Sequence, residues 1–127
     1  MNLLLGHLVG DYLLQNDWMG INKSKPGFKN ALICMLHSSI WTASICVFCW
    51  NWVVSPPSWW SGIGVVARIF MIWYHHYALD RNRNIVRAWM DFFGNFKSVK
   101  EPYRTYILYG YDNIFHLLFV FLVLEFL

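Results

Sequence analysis

Charge is scarce in this sequence. Asp, Glu, Lys and Arg make up 13% of its 127 residues, about half the share found in soluble domains. With 57% hydrophobic and 20% aromatic residues and a positive mean hydropathy, this excludes an ordinary soluble globule and points to an integral membrane protein. Cysteine is also sparse: Cys34, Cys46 and Cys49 all fall in one apolar run. Cys46-Val47-Phe48-Cys49 has the spacing of a redox or zinc motif, but no second pair and no Gly or Pro turn accompanies it. These cysteines read as small apolar fillers, with no disulfide framework. The N-terminal run lacks a basic start and a small-residue cleavage site, so it is expected to stay as a helix and not to act as a secretory signal. No Gly-rich phosphate loop, Ser-His-Asp order or basic nucleic-acid stripe is present, and nucleic acid is not an expected partner.

What the chain does have is paired acid and imidazole inside apolar segments. His7-Leu8-Val9-Gly10-Asp11, His76-Tyr77-Ala78-Leu79-Asp80 and Asp112-Asn113-Ile114-Phe115-His116 repeat one spacing. Four residues is one helical turn, so each pair shares a helix face. The expected architecture is all-α: an integral membrane four-helix bundle in a single domain over 1–127. Spans are placed at about 2–19, 30–54, 62–80 and 104–127, each near the ~20 residues a bilayer requires. In the first, His7, Asp11 and Gln15 recur on a polar stripe, with Trp18 close to it. In the second, His37 is the one titratable group other than cysteine, with Ser38, Trp41 and Ser44 nearby at helical spacing. Between the third and fourth, about 84–96, Ile85, Val86, Trp89, Met90, Phe92, Phe93 and Phe96 oppose Arg83, Arg87 and Asp91. That pattern predicts an amphipathic helix lying in the headgroup region, ended by Pro102.

Nine of the ten Lys and Arg residues lie in 22–29 and 81–104, and the turn at 55–61 has none. The positive-inside rule then places both basic loops in the cytoplasm and both termini outside, as for a bacterial inner-membrane protein. Trp59 and Trp60 in the uncharged turn suit the opposite interface. Counted inward from the basic loops, Asp11, His37, His76 and Asp112 fall about 7–12 Å deep at ~1.5 Å per residue. His7 and His116 lie roughly one turn deeper. Four helices thus bring His7, Asp11, His37, His76, Asp80, Asp112 and His116 to one level.

A buried Asp costs about 2.5–3.5 kcal/mol at a helix centre, and three cost roughly 8–10 kcal/mol without compensation. Four imidazoles and three carboxylates suit zinc, manganese or iron, with some members orienting the others. A divalent ion there would act as a Lewis acid and lower the pKa of bound water. Hydrolysis of a lipid or lipid-linked phosphoester or amide follows, with Asp11, Asp80 and Asp112 as the pool of catalytic carboxylates. Two other readings use the same residues: a proton or ion pathway, and a purely structural polar core in a membrane factor that acts through partners. The outer halves of the second and fourth spans, Ile45–Val54 and Leu117–Leu124, are nearly all apolar, which favours a pocket open to the cytoplasm over a through-channel. Homo-oligomerisation is left open. Among the remaining polar residues, His75 points about 100° away from His76 and reads as an interfacial or supporting group. Arg68 is expected to pair with Glu125 or to snorkel. Lys23 and Lys25 read as ordinary positive-inside residues, with meeting a phosphate that enters the site as the alternative.

The motif His7-Leu8-Val9-Gly10-Asp11-Tyr12-Leu13-Leu14-Gln15, followed by Trp18-Met19 and Lys23, resembles the DUF3307 family of small bacterial and phage integral membrane proteins. His37, His76, Asp80, Asp112 and His116 match the later polar positions of that family, although Asn113 stands where Gln often follows the Asp. The resemblance implies a four-helix membrane protein, phage-encoded in some cases, and carries no established activity.

Overall fold

The computed structural model describes residues 2–55, 61–94 and 96–127, and among these it contains helices and no strand. Helix α1 (Leu3–Leu8) runs directly into a single π turn, Val9–Leu13. The chain then leaves the helical path, and α2 (Asp17–Asn22) restarts after Asn16, whose extended backbone and side chain cap it by accepting from Met19 N at 2.8 Å. The first segment is therefore not the one continuous helix expected over 2–19. An Asn side chain that bonds the next turn's N–H competes with helix continuation.

Lys23 to Gly27 form the following loop. Gly27 has φ 106°, a left-handed conformation that glycine adopts without strain, and it directly precedes α3 (Phe28–Phe48). At Cys49 the backbone departs from helical angles, and the single turn α4 (Trp50–Val53) follows. The second expected segment is thus a long helix with a broken end. Helices α5 (Ser61–Arg81), α6 (Arg83–Gly94) and α7 (Tyr103–Phe126) complete the chain, with a 3₁₀ turn at Phe96–Ser98 before α7. Trp59 and Trp60 lie outside the described residues. Among the described helices, α3 and α7 are long and apolar enough to cross a membrane.

Packing explains where the polar residues end up. One apolar core gathers Trp41, Ile45, Val53, Ile72, Val120 and Val123. A smaller one joins Leu79, Val86, Met90 and Leu108 beneath α6. His76 lies between Ile72 and Leu79 along α5, and His116 between Leu108 and Val120 along α7, so the His/Asp layer is sandwiched between the two cores. The α1–π segment reaches that layer because it has glycine, Gly10 of the π turn, where it meets α3. A Cβ on Gly10 would lie 2.7 Å from Trp41 Cδ1 and 2.9 Å from Trp41 Cα.

The amphipathic helix α6 divides its apolar residues. Val86 and Met90 are buried, while Ile85, Trp89, Phe92 and Phe93 face outward. A bidentate pair from Arg104 to Asp91, at 2.9 and 3.1 Å, ties α6 to α7. The three cysteines are free; Cys34 and Cys49 are buried and Cys46 is half-buried.

Candidate metal centre

Four helices deliver the cluster. The α1–π segment brings His7 and Asp11, α3 brings His37, α5 brings His76 and Asp80, and α7 brings Asp112 and His116. His7, His37, His76, Asp80 and His116 are all at most 2% exposed. His37 Nε2 is the hub. It has four polar neighbours: Lys23 Nζ at 2.9 Å and His76 Nε2 at 2.9 Å, Asp11 Oδ1 at 3.1 Å and Asp80 Oδ2 at 3.2 Å. His76 Nε2 lies 3.3 Å from Asp80 Oδ2 and 3.6 Å from Asp11 Oδ1. An imidazole nitrogen carries one proton or one lone pair, so it can satisfy one such neighbour and not four. His37 Nδ1 and His76 Nδ1 are buried without a hydrogen-bond partner among the described residues.

His7 sharpens the imbalance. Trp41 Nε1, which can only donate, lies 3.0 Å from His7 Nδ1. The proton of a neutral His7 then sits on Nε2, which donates to Asn113 Oδ1 at 2.7 Å. Asp11 Oδ2, 3.1 Å from that same Nδ1, faces a lone pair. Its other oxygen faces His37. A carboxylate in that position calls for a proton or a cation.

The donor set fits a metal ion on spacing and on chemistry. Around a tetrahedral ion with bonds of about 2.0–2.1 Å, ligand atoms lie roughly 3.3 Å apart. The separations among Asp11 Oδ1, His37 Nε2 and His76 Nε2 run from 2.9 to 3.6 Å, and Asp80 Oδ2 lies 3.2 and 3.3 Å from the two imidazole nitrogens. Ring nitrogens and carboxylate oxygens together suit zinc, manganese or iron.

Residues that sequence reasoning did not place in the site surround it. Lys23 is 5% exposed, with Nζ 2.8 Å from Asp80 Oδ2. It is not the solvated surface lysine expected. Arg81 straps the lysine loop to α5 by donating from Nη1 to the carbonyl oxygens of Lys23 and Lys25. Trp41 stacks on His76 with ring centroids 4.1 Å apart, and Asn113 connects His7 to Tyr12. Trp41 had a local signal, being one helical turn beyond His37. Lys23 had none, because its contact joins a loop to a distant helix.

Other expectations resolve differently. His75 stacks face to face on Phe119, centroids 3.7 Å apart, and meets His116 edge-on at 5.7 Å. That is a supporting position beside the cluster. Gln15 leaves its Oε1 buried and unpartnered beside Gly20, and Trp18 is half exposed on α2; neither joins the stripe of His7 and Asp11. Arg68 does not pair with Glu125. It is buried and donates from Nη1 to the carbonyl oxygens of Trp52 and Val53 at the end of α4. Asp112 Oδ1 lies 3.6 Å from His116 Nε2, and the His116 ring centroid is 4.2 Å from that of His76. All seven residues named from the sequence thus lie in one connected cluster.

A cavity of about 630 Å³ opens onto this cluster, with Asp11, Lys23, Asp80, Arg83, Asp112 and Asn113 in its wall. No curated protein and no solved structure matches the chain. The family model described as a protein of unknown function (DUF3307) matches residues 1–127. The chain belongs to the DUF3307 family.

Proposed function

We propose that this chain is a polytopic membrane protein that binds a divalent metal near the cytoplasmic face and hydrolyses a membrane-embedded phosphoester or amide. The crowding at His37 Nε2 carries the reading: three metal-ligating groups, His76, Asp11 and Asp80, converge on one nitrogen that can bond only one of them, an arrangement that a shared cation makes favourable.

The membrane assignment rests on an inverted distribution. His7, His37, Arg68, His76, Asp80 and His116 are buried, while Leu4, Val47, Val66, Phe70, Leu118 and Phe121 face outward. Polar groups inside and apolar groups outside is the arrangement a lipid solvent selects. Four segments crossing or entering the bilayer would place the basic loops in the cytoplasm and both termini outside. The outward face of α6 would then lie in the headgroup layer.

Asp11, His37, His76 and Asp80 would hold the ion, with Trp41 stacked on His76 and Trp41 and Asn113 together fixing the His7 ring beside Asp11. The ion would supply Lewis acidity and a nucleophilic water at neutral pH. Asp112, on the cavity wall and less enclosed than Asp80, is placed to take a proton from water there. Arg83 has no ion-pair partner among the described residues, and its guanidinium lies 5.8 Å from the Tyr109 ring centroid. It is placed to meet an anionic headgroup.

A second reading has its own observation. The Lys23 ammonium already sits among Asp80 and His37, so it could serve as the permanent counter-cation of a structural core or an ion path.

Elemental analysis of the detergent-purified protein, with Asp11→Asn and His37→Gln variants, separates the two. Near-stoichiometric zinc, manganese or iron in wild type, lost from both variants, is the expected result. Wild type that stays metal-free after reconstitution would overturn the metal reading in favour of the lysine-neutralised core.

A further inference from the structure

The ion proposed above leaves one group unexplained. His116 is 1% exposed, and neither of its ring nitrogens has a hydrogen-bond partner among the described residues. A buried polar group left unpaired costs about 1–3 kcal/mol, and an imidazole carries two. Hydrophobic packing does not account for it, because a leucine would fill the volume without that cost.

The surroundings of His116 account for it better. His76, Asp80 and His116 each offer a donor atom, all within 4.8 Å of one another, and all three residues are buried. This triad overlaps a second such group, Asp11, His37 and His76, at His76; an imidazole nitrogen has one lone pair and serves one ion, whereas the two oxygens of Asp80 can serve two. Asp112, one turn before His116 on α7, stands 3.6 Å from its Nε2 and is placed to orient the ring. His75 meets the His116 ring edge-on and holds it from the other side.

We infer, resting on the metal reading, that His76 and His116 hold a second divalent cation that the Asp80 carboxylate bridges to the first, which then keeps Asp11, His37 and Asp80. The cluster's own charges indicate what such a pair would act on. Asp11, Asp80 and Asp112 against Lys23 leave a net charge of −2, counting imidazoles as neutral. One dication neutralises this. A second leaves an excess of positive charge, which an anion entering from the cavity offsets. Paired cations of this kind clamp both the attacking and the leaving oxygen of a displacement. The phosphate group of a phosphoester, and not a neutral amide, is then the substrate chemistry.

The test is metal stoichiometry on the full chain in detergent, loaded with manganese, in wild type and in His116→Gln and His116→Ala. Two ions per chain in wild type and one in either variant is the expected result, with the exchange-coupled resonance of a manganese pair present only in wild type. One ion in wild type, unchanged by His116→Gln, would overturn the second site while leaving the first standing. No ion in any form would overturn both. Loaded wild type should also bind inorganic phosphate at least ten-fold more tightly than His116→Gln, and equal binding would remove the phosphoester assignment. Repeating the titration with phosphatidic acid in nanodiscs assigns the phosphate to a lipid headgroup if the lipid binds more tightly, and to a soluble ester if the free ion does.

Discussion

Lys23 Nζ lies 2.8 Å from Asp80 Oδ2, a loop ammonium buried against a carboxylate in the middle of a helix layer. The same nitrogen is 2.9 Å from His37 Nε2. A cation of the protein's own thus stands at the edge of the donor set that a metal would use. Metal binding and this ion pair compete for Asp80.

Lys23→Met exposes the competition. Removing one partner of a buried pair costs about 3–5 kcal/mol, so metal-free Lys23→Met should melt well below wild type. Zinc or manganese should recover most of that loss, because Asp80 and His37 are then free to bind it. Thermal unfolding in detergent with and without metal measures both effects. An equal deficit under both conditions would assign Lys23 as a permanent counter-ion.

Trp41→Phe keeps an aromatic ring against His76 but removes the indole donor to His7. Groups that orient ligands typically contribute 10–100-fold to metal affinity. Chelator competition should register a loss in that range, with helical circular dichroism unchanged. Undiminished affinity would leave Trp41 a packing residue only.

Gly10→Ala tests the close approach of the α1–π segment to α3. A methyl group there would press on Trp41 Cα at 2.9 Å, which is backbone and cannot swing away. Overpacking of this kind costs about 1–3 kcal/mol. Gly110→Ala is the control: a Cβ there meets nothing within 4 Å, and in mid-helix alanine should stabilise by roughly 0.5–1 kcal/mol. The two melting temperatures should therefore move in opposite directions.

Arg68→Met removes the donor that satisfies the carbonyl oxygens of Trp52 and Val53. Leaving buried acceptors unpaired should lower stability by about 1–3 kcal/mol. Arg68 lies two helical turns from His76, so metal stoichiometry should be unchanged. Melting curves and elemental analysis on the same preparation check both halves.

Much of the candidate site is legible without coordinates. The i,i+4 His/Asp pairs announce themselves because one helical turn brings those positions onto one face. An acid in an apolar segment is costly enough to need a reason. The amphipathic α6 was visible in the same way, from alternation of apolar and charged residues at helical period. Which half of its apolar face is covered was not visible: Val86 and Met90 are buried by Leu79 and Leu108, contacts that cross from α6 to α5 and α7.

Local periodicity and composition thus determined the all-helical class and the i,i+4 pairs, because each depends on residues within a turn or two. Tertiary structure decided the rest. It broke the first segment at Asn16, turned Arg68 toward the end of α4 instead of Glu125, and carried Lys23 and Asn113 into the His/Asp layer. Those outcomes depend on which backbone carbonyls are left free and which loop lies over which helix, and such long-range relationships leave no period in a sequence.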